Sequence, residues 1–396
     1  MARSSRLLFA FALVVAHGSA LVACQRDRAD NAGLRTMDLT AALLPASPTN
    51  AHADDPAAAA LGRRFFFDVR FSADATISCS SCHDPAHGFS DPKAFSLGVR
   101  GQVGDRHAMP VTAAAFHPFT LWDGRSDSVW AQPLKAQENP KEMDTTRVEI
   151  ARLVATAYAS DYEATFGALP SLDGMPLRGK PGMPEWDQLP EDQRFAIDRV
   201  AANVGKALEA YERNILCTDT RFDRWTRGEI SLTNQETSGS QTFVEQACTG
   251  CHSGPSFSDG LFHDIGIPSS DLGRVVGRDL LLVDPFNGVG PHSDDTAAGR
   301  DRLSIVPSET ATEGAFRTAS LRGVGQRAFF GHASHQSTLR GFIADVYRDE
   351  GRRAATVGAL DPKLGVVDVP DDEIDDLVTF LRTLDCPAPP TALTTP

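Results

Sequence analysis

Two short stretches of this 396-residue sequence spell nearly the same pattern: SCSSCHDPAHGFSD at 78–91 and ACTGCHSGPSFSD at 247–259. Each runs Cys-x-x-Cys-His, then a turn of small residues, then Phe-Ser-Asp. Such a run can serve zinc, a redox disulfide or a covalently attached haem, and the setting decides among them. A four-Cys zinc site draws its pairs from stretches roughly 15–20 residues apart, whereas 166 positions separate Cys82 from Cys248. A thioredoxin-like pair expects a βαβ setting, which the surrounding pattern lacks. Haem c attachment uses every residue. The thiols of Cys79 with Cys82, and of Cys248 with Cys251, bond the vinyl groups, and His83 and His252 become the proximal iron ligands. The repeat therefore predicts two modules with one haem c each, divided near 216–235.

The N-terminus predicts export. Arg3 and Arg6 precede an apolar run and small residues, the pattern of a signal peptide. Leu21-Val22-Ala23-Cys24 also resembles a bacterial lipobox, which places the mature protein in the periplasm on a lipid anchor at Cys24. Beyond this leader no stretch is long and apolar enough to span a bilayer. The formal net charge of −14 disfavours nucleic acid and anionic membrane surfaces as partners. Two cysteines, Cys217 and Cys386, remain outside the motifs. In an oxidising compartment they can pair or stand as separate buried thiols, and the residues alone leave both open.

The rest of the chain reads as mainly α, in two helical haem-bearing domains with long irregular loops. Residues 1–24 are the leader, 25–53 a tether, 54–220 the first haem domain, 221–386 the second and 387–396 a tail. Ile150, Leu153, Val154, Ala157 and Tyr158 recur on one helical face, and Ile197, Val200, Ala201, Val204, Leu208, Tyr211 and Ile215 extend such a stripe over five turns. Ile374, Leu377, Val378 and Leu381 mark a last helix, opened by Pro370 and acidic residues. Segments 169–190 and 266–315 are rich in Gly, Pro and Asp and show no period; loops that long are usually functional or wrapped around something. No β-hairpin series is evident.

What fills the sixth position of each iron decides between electron transfer and chemistry. None of the six methionines follows the second motif. The ligands available downstream are His263, His292, His332, His335 and Tyr347.

Beyond the two motifs, LGRRFFFDVRFSADATISCSSCHDPAHGFSD, LWDGRSDSVWAQPLKAQENPKEM, CTGCH and RTASLRGV occur in that order. Together they resemble the bacterial di-haem cytochrome c peroxidase and MauG family over residues 55–385, and in particular its MauG-like branch, which includes the MbnH proteins. The resemblance implies two cytochrome-c-like domains whose haems face a shared interface. It places Trp122 between the haems, and Gln132 and Glu142 on the peroxide side of haem one, where a carboxyl beside an amide can move a proton between peroxide oxygens. Val99 stands where the peroxidases of the family carry a His that can close haem one, so an open haem one is expected.

At haem two the MauG-like branch places a Tyr, which implies Tyr347. A gapless match falls one residue earlier, on Val346, about 100° away around a helix, so His332 and His335 remain as alternatives. A calcium ion between the haems is implied by the family, yet His107 replaces the Asn that helps to bind it. Gln246 replaces the surface Trp that MauG carries before its second motif. The implied activity is peroxide-dependent oxidation of aromatic residues, foremost Trp, in a partner protein. The alternatives are reduction of hydrogen peroxide with electrons from a small cytochrome c or cupredoxin, and plain electron transfer.

Overall fold

The stripes read from the sequence are helices in the computed structural model, which describes residues 31–306, 312–347, 357–364 and 369–396. The leader with Cys24 lies outside the described residues. Helix α1 (Pro56–Phe67) starts where the Asp55 carboxylate accepts the Ala57 N–H and Pro56 occupies the first helical position. A short helix α2 (Pro133–Glu138) and helix α3 (Arg147–Ala157) lead to the longest, α4 (Glu191–Glu212). In the second half, α5 (Asn234–Glu245) opens with a reciprocal Thr233–Glu236 cap. Then come α6 (Arg274–Val283), α7 (Leu339–Tyr347) and α8 (Asp371–Leu381), the last beginning after Pro370 with three acidic residues suited to its N-terminus. The described residues hold a single two-stranded antiparallel pair, Phe262–His263 with Phe316–Arg317.

The two lobes repeat one construction. In each, the helix ahead of the Cys-x-x-Cys-His turn crosses the lobe's long closing helix through a glycine. A Cβ on Gly62 of α1 would lie 1.8 Å from the Ala207 carbonyl oxygen of α4, and one on Gly239 of α5 would lie 2.0 Å from that of Asp376 in α8. These close crossings bring the aromatic side chains together. Phe65, Phe66, Phe71, Ile197, Val204 and Tyr211 share the first core; Phe222, Phe243, Phe257, Ile374 and Phe380 share the second. Each such side chain stabilises its lobe by about 1.5–3 kcal/mol through burial.

Two expectations about organisation need correction. Residues 31–53 are not a free tether. Leu34 and Met37 enter the second core, while Asn50 donates to the Lys206 carbonyl at 3.1 Å and the Trp130 indole donates to Thr49 Oγ1 at 3.0 Å in the first lobe. Average composition hides this, because a few well-placed side chains suffice to fix a strap across both lobes. Segment 266–315 is not all loop, since α6 and a second helix at Thr296–Leu303 lie within it. Val276, Leu280 and Val283 recur at helical spacing in α6, a period that the Gly, Pro and Asp content of the whole segment masked. Leu281 of α6, with Leu303 and Val306, packs against Phe119 of the first half, so this part of the second domain covers the first. The last residues return to lobe one as well, where Tyr211 Oη and Arg63 Nη1 donate to the carbonyls of Leu393 and Ala392. Cys217 and Cys386 are disulfide-bonded across a sequence separation of 169, which settles the choice the sequence left open.

Candidate active site

Both Cys-x-x-Cys-His stretches form the same tight turn. The His83 and His252 amides donate to the carbonyls of Cys79 and Cys248 at 2.9 and 2.8 Å. Six residues after His83, and five after His252, a buried Phe adopts positive φ: 58° at Phe89 and 53° at Phe257. That strained backbone turns a carbonyl toward the imidazole. His252 Nδ1 lies 3.0 Å from the Phe257 oxygen, which leaves Nε2 as the lone-pair nitrogen. His83 Nδ1 lacks a partner of good geometry, although the Phe89 carbonyl is close enough to act on it. Burial holds both imidazoles below the usual His range, hence neutral and able to ligate a metal. The four motif cysteines form no disulfide, and burial pushes the Cys248 thiol up to about 12.

Each histidine faces its own cavity. The first, about 1600 Å³ and open to solvent, is lined by Cys82, His83, Trp122, Gln132, Asn139 and Glu142, among others. The second, about 1320 Å³, is lined by Cys248, Cys251, His252, His332, Phe342 and Val346, among others. Each carries a neutral imidazole beside motif thiols, Cys82 in the first and Cys248 with Cys251 in the second. The second cavity is also walled by Arg317, which is buried and lines the first cavity too, and by the half-buried Arg327; neither forms an ion pair among the described residues, although the Asp385 carboxylate is near enough to act on Arg327. Burial pulls Arg317 down to about 9 and Arg327 to about 10. Isolated buried cations are costly, and the anionic propionates of a haem in each cavity would offset that cost. The residues therefore fit two haem c groups, held by Cys79, Cys82 and His83 in one lobe and by Cys248, Cys251 and His252 in the other.

The sequence-predicted peroxide residues share the first cavity. Glu142 is half-buried there, and desolvation raises its carboxyl above the usual range, opposed by the Asn139 side-chain N–H bonded to it at 2.7 Å. Gln132 sits at the start of α2, which sets its position relative to Glu142. Val99 is fully buried, carries no ligating atom, and donates its N–H to the Glu142 carbonyl. Sequence reasoning missed Asn139; its spacing of three from Glu142 was the available signal.

Trp122 belongs to both cavities, and its loop is echoed in the second lobe. Paired backbone bridges at Thr120–Ser126 and Phe330–Gln336 make Trp122 and His332 equivalent positions. The two rings meet edge to face at 6.3 Å, and His332 stacks on Phe316 at 3.6 Å. The Trp122 indole donates to the His107 carbonyl and the His107 N–H donates to the His332 carbonyl, each at 2.8 Å. Gly124, at φ +67°, presses this loop on the second half, where a Cβ would stand 2.2 Å from Phe262 Cζ. The oxygens that could serve a cation here are engaged: Arg106 takes the carboxylates of both Asp123 and Asp271, and Trp122 takes the His107 carbonyl. This donor set does not fit calcium, which needs six to eight free oxygen ligands.

The candidates for closing haem two separate clearly. His335 pairs with Asp345 outside both cavities, and His292 stacks between Phe195 and Phe286. His263 is clamped by Asp259 and Asp361 at 2.9 and 2.5 Å; although burial opposes it, these partners and the Cys251 thiol hold it protonated, up to about 10. His332 reaches the second cavity, with burial lowering it to about 4 and both ring nitrogens without partners. Val346 lines the same cavity, and the backbone of Tyr347 follows as the last residue of α7. The Tyr347 side chain lies outside what the structure describes.

Residues 56–231 match the family model of the di-haem cytochrome c peroxidases. The chain belongs to the di-haem cytochrome c peroxidase and MauG family. It is 28% identical to the methylamine utilization protein MauG of Methylorubrum extorquens, over 98% of this chain and 97% of that protein. It is 29% identical to the cytochrome-c peroxidase IdrP1 of Denitromonas iodatirespirans, over 87% and 86%. A solved MauG-like protein associated with microbial copper homeostasis shares the fold, with a TM-score of 0.60 at 23% identity, over 87% of this chain and 94% of that one. This protein is accordingly a di-haem peroxidase-type oxidoreductase.

Proposed function

We propose that the protein takes two electrons from an aromatic side chain, foremost a Trp, of a partner protein and delivers them to peroxide. The observation that carries this reading is the shared wall: Trp122 lines both cavities and touches His332, its counterpart in the second lobe. Such a wall lets two oxidising equivalents spread over both lobes. The haem held by His83 supplies the redox chemistry with peroxide when bound. Around it the protein moves protons. The Glu142 carboxylate would take the proton from one peroxide oxygen and return it to the other as the O–O bond breaks, while the Gln132 amide would hold the peroxide in place. Hydrogen peroxide then leaves as two waters, with two electrons and two protons drawn from the partner. Besides His252, Tyr347 would be the second residue to hold the haem of lobe two, with His332 as the alternative.

We place the protein in the periplasm, anchored by lipid at Cys24; palmitate labelling that is lost in Cys24→Ser checks this. The relatives bear both MauG and peroxidase names, so the second reading is a peroxide reductase fed by a small cytochrome c or cupredoxin. Mixing the fully oxidised protein with hydrogen peroxide and a candidate partner separates the two. A partner mass change at one Trp supports the first reading, and turnover only with a reduced redox protein supports the second.

A further inference from the structure

Three of the four tryptophans, all but Trp122 among the described residues, carry a cation against the face of the ring. The Arg35 guanidinium lies 4.3 Å from the centre of the Trp225 ring, that of Arg147 5.5 Å from Trp186, and the Lys206 ammonium 5.5 Å from Trp130. Losing an electron turns an indole into a cation, and a fixed positive charge so close opposes that loss. These three rings are therefore guarded against oxidation.

A tyrosine escapes the constraint when a base stands ready for its proton, because the ring then stays neutral as the electron leaves. Tyr158, at the end of α3, meets this condition: its hydroxyl donates to Asp68 Oδ2 at 2.6 Å. Arg64 and Arg70 flank the ring, so a charged product is opposed here too and the proton has to go with the electron. Although burial opposes it, hydrogen bonds from Arg70 and Tyr158 hold the Asp68 carboxyl below its usual value, and the phenol faces a carboxylate. Elsewhere among the described tyrosines, Tyr162 Oη accepts from the Asn203 amide and Tyr211 donates to the Leu393 carbonyl, neither of which takes a proton. Aromatic contacts join Tyr158 to the first haem turn. Its ring stands edge to face on Phe65 at 4.9 Å; Phe66, the next residue of α1, lies 6.1 Å from Phe89, whose carbonyl acts on His83. These four rings share one core, against which Cys79 packs, and none of them lines either cavity.

We infer that Tyr158, with Asp68 as its proton acceptor, is the internal electron donor that discharges lobe one when no partner is bound. The inference rests on the oxidised state proposed above and names the residue that ends it. The Tyr158 O–H bond breaks, the proton passes to the Asp68 carboxylate and the electron to the oxidised lobe, leaving a neutral tyrosyl radical. A small one-electron reductant in solution, meeting the site beside the exposed Arg70, returns the electron while Asp68 returns the proton. Two rounds spend both equivalents from one peroxide.

The test is freeze-quench electron paramagnetic resonance of the fully oxidised di-haem protein after one equivalent of hydrogen peroxide, with no partner or reductant. A tyrosyl signal should grow as the oxidised state decays, and should narrow in protein made with ring-deuterated tyrosine. Tyr158→Phe keeps the ring on Phe65; it should lose the signal and prolong the oxidised state. Asp68→Asn leaves the phenol in place and can still cap the Arg70 N–H. It should slow formation of the radical about a hundredfold, the scale of a positioned proton acceptor. Tyr162→Phe should change neither signal nor lifetime. A tyrosyl signal that survives Tyr158→Phe, or an undiminished rate in Asp68→Asn, overturns the inference and leaves the proposed function standing. A protein that forms no oxidised state with peroxide sinks both.

Discussion

Replacing Glu142 by Gln keeps the shape of the side chain and removes its ability to take or give a proton. The carboxyl lies in the first cavity, and the Asn139 side chain is the hydrogen-bond donor the structure gives it. A positioned proton carrier of this kind contributes about 10²–10⁴-fold, or about 3–5 kcal/mol of barrier. E142Q should therefore slow the reaction with peroxide by that factor while both haems remain attached. The pH dependence adds a second check. Burial raises the Glu142 carboxyl, and the proton-accepting form is the carboxylate, so the wild-type rate should climb as pH rises through that raised value. Asn139→Ala removes a bond that favours the charged form, and should move the climb to higher pH. Stability follows the opposite course. A carboxyl raised in the folded protein stabilises the fold below its unfolded pKa, and that contribution is lost as pH rises through the folded value. E142Q should thus be at least as stable as wild type at neutral pH, with its relative advantage shrinking in acid. Stopped-flow traces and thermal melts from pH 4 to 9 measure both. An E142Q protein that reacts with peroxide at the wild-type rate would refute the proton-carrier role.

Intact mass should exceed the mature polypeptide by two haems, and Cys79→Ser with Cys82→Ser should remove one of them; a colourless, zinc-loaded protein would contradict the assignment. Trp122→Phe loses the indole bond to the His107 carbonyl, so chemical denaturation should show a loss of about 0.5–1.5 kcal/mol, and spectroscopy should show peroxide oxidation confined to one haem. Cys217→Ser with Cys386→Ser should lower stability by about 2–5 kcal/mol, read from denaturant midpoints, because the bridge closes a long loop. Gly124→Ala forces a side chain onto Phe262 at positive φ and should cost more than 1 kcal/mol; an unchanged melting temperature would show that the loop is not pressed between the halves.

The haem turns were the most legible part of the sequence because covalent attachment imposes a fixed local string. The long helices followed for a similar reason: Ile197, Val200, Val204, Leu208 and Tyr211 recur along α4 and all are buried, although the helix ends at Glu212, short of Ile215. The family resemblance, rather than any property of Gln132, Glu142 or Trp122 themselves, brought those three to one cavity. What stayed hidden was set by contacts distant in sequence. Leu34 and Met37 look like tether residues until lobe two supplies their pocket. Nothing in the sequence sets Arg317 apart from a surface charge, yet it is buried. Helix α6 carries a helical period in Val276, Leu280 and Val283, but it is ten residues long and sits in a stretch whose Gly, Pro and Asp content reads as loop. His332 carried no sign of its equivalence to Trp122, since the bridges that align them are backbone features.

The most direct test of the account is an electron count. The fully oxidised protein, with no reductant present, is mixed with one equivalent of hydrogen peroxide, excess peroxide is removed, and a calibrated reductant is titrated in. Two equivalents should be recovered from wild type over a lifetime long enough to meet a partner, and far fewer from Trp122→Phe. No reaction with peroxide until the protein has first been reduced by a small cytochrome would contradict the account and leave the peroxide-reductase reading in its place.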